Sequence, residues 1–114
     1  MNKKIKDKKV NYILENYLNR IKEVFVPKEI WLWGSRIYGH PNLYSDVDMI
    51  IVSDKFQRIR FLKRRSTFLR KTGLLYDKKA EVVDALCYTP KEFAKKKNSL
   101  GIVSKALSKG IRIL

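Results

Sequence analysis

The stretch that most restricts the fold is Ser45-Asp46-Val47-Asp48-Met49-Ile50-Ile51-Val52. Its apolar, β-branched end reads as a buried strand, and its polar end as the entrance to that strand. Two other short apolar runs accompany it. Glu29–Trp33 (EIWLW) is closed by Gly34, and Glu81–Tyr88 (EVVDALCY) carries a single acid inside an apolar pattern. Three short strands of this kind cannot bury themselves; they need helices laid on a common sheet.

The intervening sequence supplies those helices. Val10, Ile13, Leu14, Tyr17, Leu18, Ile21, Val24 and Phe25 recur at helical spacing, so residues 8–26 form an amphipathic helix stopped by Pro27. Ser35–Gly39 makes one helical turn, and His40-Pro41-Asn42 is a loop. Phe56, Ile59, Leu62, Ser66 and Leu69 are expected to form one face of a strongly basic helix ending near Gly73. Thr89-Pro90-Lys91-Glu92 combines an N-cap, a first-position proline and a capping-box glutamate. The last helix carries Ile102, Val103, Ala106 and Leu107, stops at Gly110, and leaves Ile111–Leu114 as an edge strand. The expected class is α+β: one domain over residues 1–114, with a small sheet of three to four strands flanked by helices.

Charge narrows the partners. Of the 26 Lys and Arg residues, 21 fall in three segments, 1–9, 55–79 and 91–109, and the net charge is +15. Such a field attracts polyanions, whether nucleic acid, nucleotide phosphates or an acidic protein, although Lys-rich helix faces also serve simply as solvated surface. One cysteine (Cys87) and one histidine (His40) leave no zinc cluster and no internal disulfide. No apolar run is long enough for a membrane span and no secretory core follows the Lys-rich start, so the expected location is cytoplasmic, with no membrane partner.

Chemistry concentrates in Leu32-Trp33-Gly34-Ser35-Arg36 and, ten residues after Ser35, Asp46-Val47-Asp48. Alternation puts Asp46 and Asp48 on one face, about 7 Å apart along a strand. Two like charges at the mouth of a buried strand are resolved by a hard cation such as Mg²⁺, which takes carboxylate oxygens and completes its shell with water and phosphate. Gly34-Ser35 follows a strand and opens a helical turn, offering N–H groups and a hydroxyl to an anion. Asp84 lies in an otherwise apolar strand and needs a partner. If its strand neighbours the second, the same metal centre serves, and three carboxylates with two divalent ions would meet a triphosphate in an arrangement suited to in-line displacement at phosphorus. Glu81 has the opposite parity and should face away.

Several neighbours have two readings. Arg36 either reaches a phosphate oxygen or pairs with Asp84, and Ser45 braces the strand entrance. Tyr38 and Tyr44 either stack on a base or simply pack, and His40 is a solvated loop residue. Trp31 and Trp33 belong to the core, and Cys87 is a small buried hydrophobe with nothing beside it to activate a thiolate.

GSRIYGHPNLYSDVDMIIV resembles the signature of the DNA polymerase beta nucleotidyltransferase superfamily, above all its minimal branch (MNT, MntA-like). That pattern, Gly-Ser, ten residues, Asp-x-Asp, is met by Gly34, Ser35, Asp46 and Asp48, and VDALCYTPKEF resembles the branch's third-carboxylate strand and following helix, pointing to Asp84. The resemblance implies a mixed sheet of the nucleotidyltransferase fold, ATP as donor, and two Mg²⁺ (or Mn²⁺) held by Asp46, Asp48 and Asp84. It also implies nucleotide binding by Gly34, Ser35 and Arg36, and transfer of AMP to a hydroxyl. Minimal members are commonly paired, as antitoxins, with a HEPN-type toxin whose tyrosine they adenylylate. Two rivals stand beside this reading. One is a weakly active or inactive basic module gripping a protein or nucleic acid, against which the retention of all three aspartates argues. The other is small-molecule nucleotidylation, which lacks its usual second substrate-binding domain here.

Overall fold

The computed structural model describes residues 5–41, 45–80 and 83–114. Helix α1 spans Lys8–Phe25, followed by strand β1 (Glu29–Trp33), the single turn α2 (Ser35–Tyr38), β2 (Val47–Val52), α3 (Phe61–Thr72), β3 (Val83–Tyr88), α4 (Pro90–Lys97), α5 (Ile102–Lys109) and β4 (Ile111–Arg112). The order is the one the sequence predicts; β1 has the predicted bounds, and β2 starts at Val47, two residues after the predicted Ser45. Tyr44, read from the sequence as either stacking on a base or simply packing, and Glu81, read as facing away, lie outside the described residues.

The four strands form one mixed sheet in the order β3-β2-β1-β4. β2 is antiparallel to β1 and parallel to β3, and the short β4 closes the other edge against β1. Side-chain alternation sorts the sheet into two faces. Ile30, Leu32, Val47, Met49, Ile51, Val83, Ala85 and Cys87 pack with α1 residues and with Phe68 and Leu69 of α3. Trp31, Trp33, Ile50, Val52, Leu86 and Tyr88 pack with Phe93 of α4 and with Val103 and Ala106 of α5. Trp31 and Trp33 are therefore partly buried members of the second core. The apolar run of β2 is explained by burial on both faces in the sheet interior.

The ends of the helices follow local chemistry. Asp7 Oδ1 accepts from the Lys9 and Val10 N–H groups and caps α1, while Val26 (φ 43°) turns the chain out before Pro27. The capping box at Thr89 and Glu92 forms as the sequence predicts. Glu92 is shared: Arg64, 5% exposed, donates to both of its carboxylate oxygens and to the carbonyls of Ile59 and Cys87. This side chain ties α3 to β3 and to α4.

Two sequence expectations for α3 are corrected. Phe56 belongs to a separate 3-10 turn, so the helix starts only at Phe61 and its buried face is Arg64, Phe68, Leu69 and Thr72. Leu62 and Ser66 consequently lie on the outer side. A helical stripe drawn through Phe56 is displaced because the chain is not helical between residues 57 and 60. Ile102 likewise stays exposed, because it sits at the first position of α5, ahead of the face that Val103 and Ala106 bury. Among the described residues no helix is long and apolar enough to cross a membrane.

Candidate active site

The register of the sheet builds the site. Asp48 in β2 stands opposite Trp33 in β1 on one side and opposite Asp84 in β3 on the other. Because β2 and β3 are parallel and in this register, Asp48 and Asp84 take the same face, which is also the face of Asp46 across one intervening residue. The alternative, Asp84 on the far side of the sheet, is not what the structure has. Asp46, Asp48 and Asp84 each bring a carboxylate oxygen within 4.8 Å of the other two.

Such a cluster is costly without a counter-charge. Burial, reinforced by the negative charges of Asp84 and then Asp46, pushes the Asp48 carboxyl up from its ordinary 3.8 to about 6. The donor set is all oxygen and anionic, and it converges from two neighbouring strands. It fits a hard divalent cation of the Mg²⁺ or Mn²⁺ type.

Gly34 stands directly against this cluster. It adopts φ 87°, and a Cβ placed there would lie 2.1 Å from Asp48 Oδ2. Glycine is thus required twice, by its backbone conformation and by the approach of the carboxylate. Ser35 follows at the first position of α2, whose turn closes through the Gly39 N–H to the Ser35 carbonyl at 2.9 Å. The structure therefore brings Gly34, Asp46, Asp48 and Asp84 together, with Ser35 next to Gly34 in the chain.

Arg36 has a partner that the sequence reading did not anticipate. Its Nη1 pairs with Asp7 Oδ2 at 2.9 Å, both side chains being about nine-tenths buried (10% and 11% exposed), and its Nε donates to the Ser45 carbonyl at 2.8 Å. Asp7 thus joins the start of α1, the α2 turn and the segment leading to Asp46. An aspartate immediately before a helical pattern is an N-cap signal that could have been read, but its second partner was not legible.

The ion-pair partner of Asp84 is Arg65 of α3, whose Nε lies 3.1 Å from Asp84 Oδ1, while its Nη2 donates to the Val83 carbonyl at 3.3 Å. No spacing rule connects residues 65 and 84, so sequence reasoning missed Arg65. Tyr38 is exposed, with the Lys109 ammonium 5.8 Å from its ring centroid. His40 is exposed in its loop. Cys87 is buried, and burial raises its thiol to about 12, which keeps it neutral. Trp33 Nε1, on the strand beside Asp48, is buried without a hydrogen-bond partner among the described residues.

Known proteins resemble the chain in sequence pattern and in fold. The family model described as "Nucleotidyltransferase domain" matches residues 14–113. Among solved structures, the chain is similar to a Sulfolobus solfataricus protein described as a nucleotidyltransferase, at 18% sequence identity and a TM-score of 0.52, covering 83% of this chain and 84% of that one. At that identity the likeness concerns the fold. No curated protein matches the sequence.

Proposed function

The chain belongs to the nucleotidyltransferase domain family, and from that premise we propose that it transfers AMP from ATP to a hydroxyl on a separate protein. The convergence of Asp46, Asp48 and Asp84 within 4.8 Å, facing Gly34, carries this reading. These three carboxylates would hold the divalent metal, Mg²⁺ as a pair of ions with Mn²⁺ as a substitute. When bound, the metal supplies Lewis-acid stabilisation of the charge on the phosphate oxygens.

The protein's own groups then have distinct tasks. Gly34 and Ser35 would receive the β- and γ-phosphates at the turn beside Asp48, through backbone N–H groups and the Ser35 hydroxyl. Asp84 would take the proton of the acceptor hydroxyl as its oxygen attacks the α-phosphorus and pyrophosphate departs. Arg36, held by Asp7 and the Ser45 carbonyl, would steady the turn and the approach to Asp46 from behind. The acceptor would be supplied from outside the described residues, which form two cores and this site. A protein acceptor, and specifically a HEPN-type toxin paired with this chain as antitoxin, is supported by the likeness of its Gly-Ser and Asp-x-Asp spacing to minimal nucleotidyltransferases.

The test is transfer of label from α-labelled ATP to a co-purified protein in the presence of Mg²⁺. Label transfer lost in Asp46→Asn, Asp48→Asn and Asp84→Asn is the expected result; label retained in all three refutes the assignment. One observation favours a second reading, a basic module that grips a protein or nucleic acid: α3 (FLKRRSTFLRKT) contains no acidic residue. Salt-steep RNA binding with no NTP turnover would select that reading.

A further inference from the structure

Beside the carboxylates lies a partly exposed apolar surface, its Phe61 ring stacked on Tyr88 and in contact with the Arg64 guanidinium. A cleft of about 190 Å³ runs between the start of α3 and β3, lined by Phe61, Leu62, Arg65, Asp84 and Leu86 among others. A second cleft, of about 240 Å³, is lined by Arg60, Phe61, Leu62 and Lys63. Phe61 and Leu62 are common to both, and they are 49% and 92% exposed. Asp84 belongs at once to the cleft and to the carboxylate cluster.

What could cover this surface is limited by its chemistry. β3 is an edge strand, but its Val83 and Cys87 carbonyls already accept from Arg65 and Arg64. A partner would therefore dock through side chains and not by adding a strand. The rim is cationic: Arg60 and Lys63 line the second cleft, and among the described residues no carboxylate forms an ion pair with either. The Phe61 ring is already engaged by Tyr88 and Arg64, and the exposed Leu62 offers no π-face to a nucleobase, whereas an apolar side chain of a protein would cover both.

We propose that the α3–β3 corner is the docking surface for the acceptor protein, taking an acidic segment whose apolar side chain covers Phe61 and Leu62. This rests on the transfer reading above, because docking here sets the partner's hydroxyl beside Asp84. The basic rim steers the segment in, and the leucine-lined cleft selects among acidic chains.

The experiment compares wild type with Leu62→Ser, a substitution at a surface position outside the carboxylate cluster. The probes are a fluorescein-labelled acidic decapeptide with two central leucines, the same peptide with serines in their place, and a 20-nucleotide oligo(U). At physiological salt the wild type should bind the leucine peptide about tenfold more tightly than the serine peptide, and Leu62→Ser should bring that ratio close to one. The proposal is overturned by a ratio near one in wild type, by a ratio unchanged in the variant, or by oligo(U) losing as much affinity as the leucine peptide. In parallel, the Tm shift produced by Mg²⁺ with a non-hydrolysable ATP analogue should be equal in both proteins. A missing shift in both, with the peptide ratio intact, would remove the transfer reading and leave the docking surface standing.

Discussion

Replacing Asp48 by asparagine should stabilise the metal-free protein while destroying its response to metal. The Asp48 carboxyl is pushed from 3.8 to about 6 by burial and by its two acidic neighbours, so the native state disfavours its ionised form. A shift of that size corresponds to a ceiling of about 3 kcal/mol. Because the carboxylate keeps partial access to water, screening reduces this to about 1–2 kcal/mol. The sign is fixed by linkage: with the folded value above the unfolded one, the wild type loses this stability as pH rises from about 4 to about 6, and above that the loss is complete. At pH 7.5 in EDTA, Asp48→Asn should therefore melt roughly 4–8 °C above wild type, taking about 4 °C per kcal/mol for a domain of this size. At pH 4 most of the gain should disappear, since the wild-type carboxyl is then protonated in the native state. Saturating Mg²⁺ should raise the Tm of wild type and leave that of the variant unchanged, because one of three ligands is gone. Thermal melts at the two pH values, with EDTA or Mg²⁺, suffice. A lower Tm for the variant in EDTA at pH 7.5, or a gain of equal size at pH 4, would refute the reasoning.

Other perturbations probe the frame around the site. Arg64→Met removes both bonds to Glu92 and the donors to the Ile59 and Cys87 carbonyls; unfolding in urea should show a loss of about 3 kcal/mol. The Arg64 hydrogen bond, ahead of the Thr89 contacts, holds the Glu92 carboxyl below its ordinary 4.5. Its contribution is thus present above about pH 4.5 and lost as pH falls further, opposite in direction to that of Asp48. A wild-type acid titration followed by circular dichroism should show that loss, and Glu92→Gln should abolish it. Gly34→Ala forces a Cβ to 2.1 Å from Asp48 Oδ2 at φ 87°; it should cost about 1–3 kcal/mol and abolish Mg²⁺-dependent stabilisation, both measurable by thermal melts. Asp7→Ala removes the α1 cap and the Arg36 pair together. A loss of about 1–3 kcal/mol in urea unfolding is expected, with kcat for label transfer falling more than KM rises.

The local devices were readable because each acts within a few residues. Pro27 ends a helix by lacking an N–H, Thr89 and Glu92 cap one across three positions, and alternation within SDVD places two carboxylates together. The Gly-Ser and Asp-x-Asp spacing crosses ten residues and was legible through its resemblance to a known signature. Leu62 was misplaced because periodicity assumes an unbroken helix, and the 3-10 turn at residues 54–56 with the non-helical stretch after it shifts the phase.

What only the tertiary structure decided is pairing between distant segments. The sequence by itself determined that Asp84 sits in a strand and needs a counter-charge, but the parallel register Asp48 to Asp84 selects the face on which it meets the other two. It also could not show that Gly34 must lack a side chain because of Asp48, that Asp7 holds Arg36, or that Arg65 stands at Asp84. Backbone chemistry fixes the direction of each side chain relative to its own strand or helix. Only the packing of one element on another fixes which charges come within reach, and the Coulomb energy of the site depends on those distances.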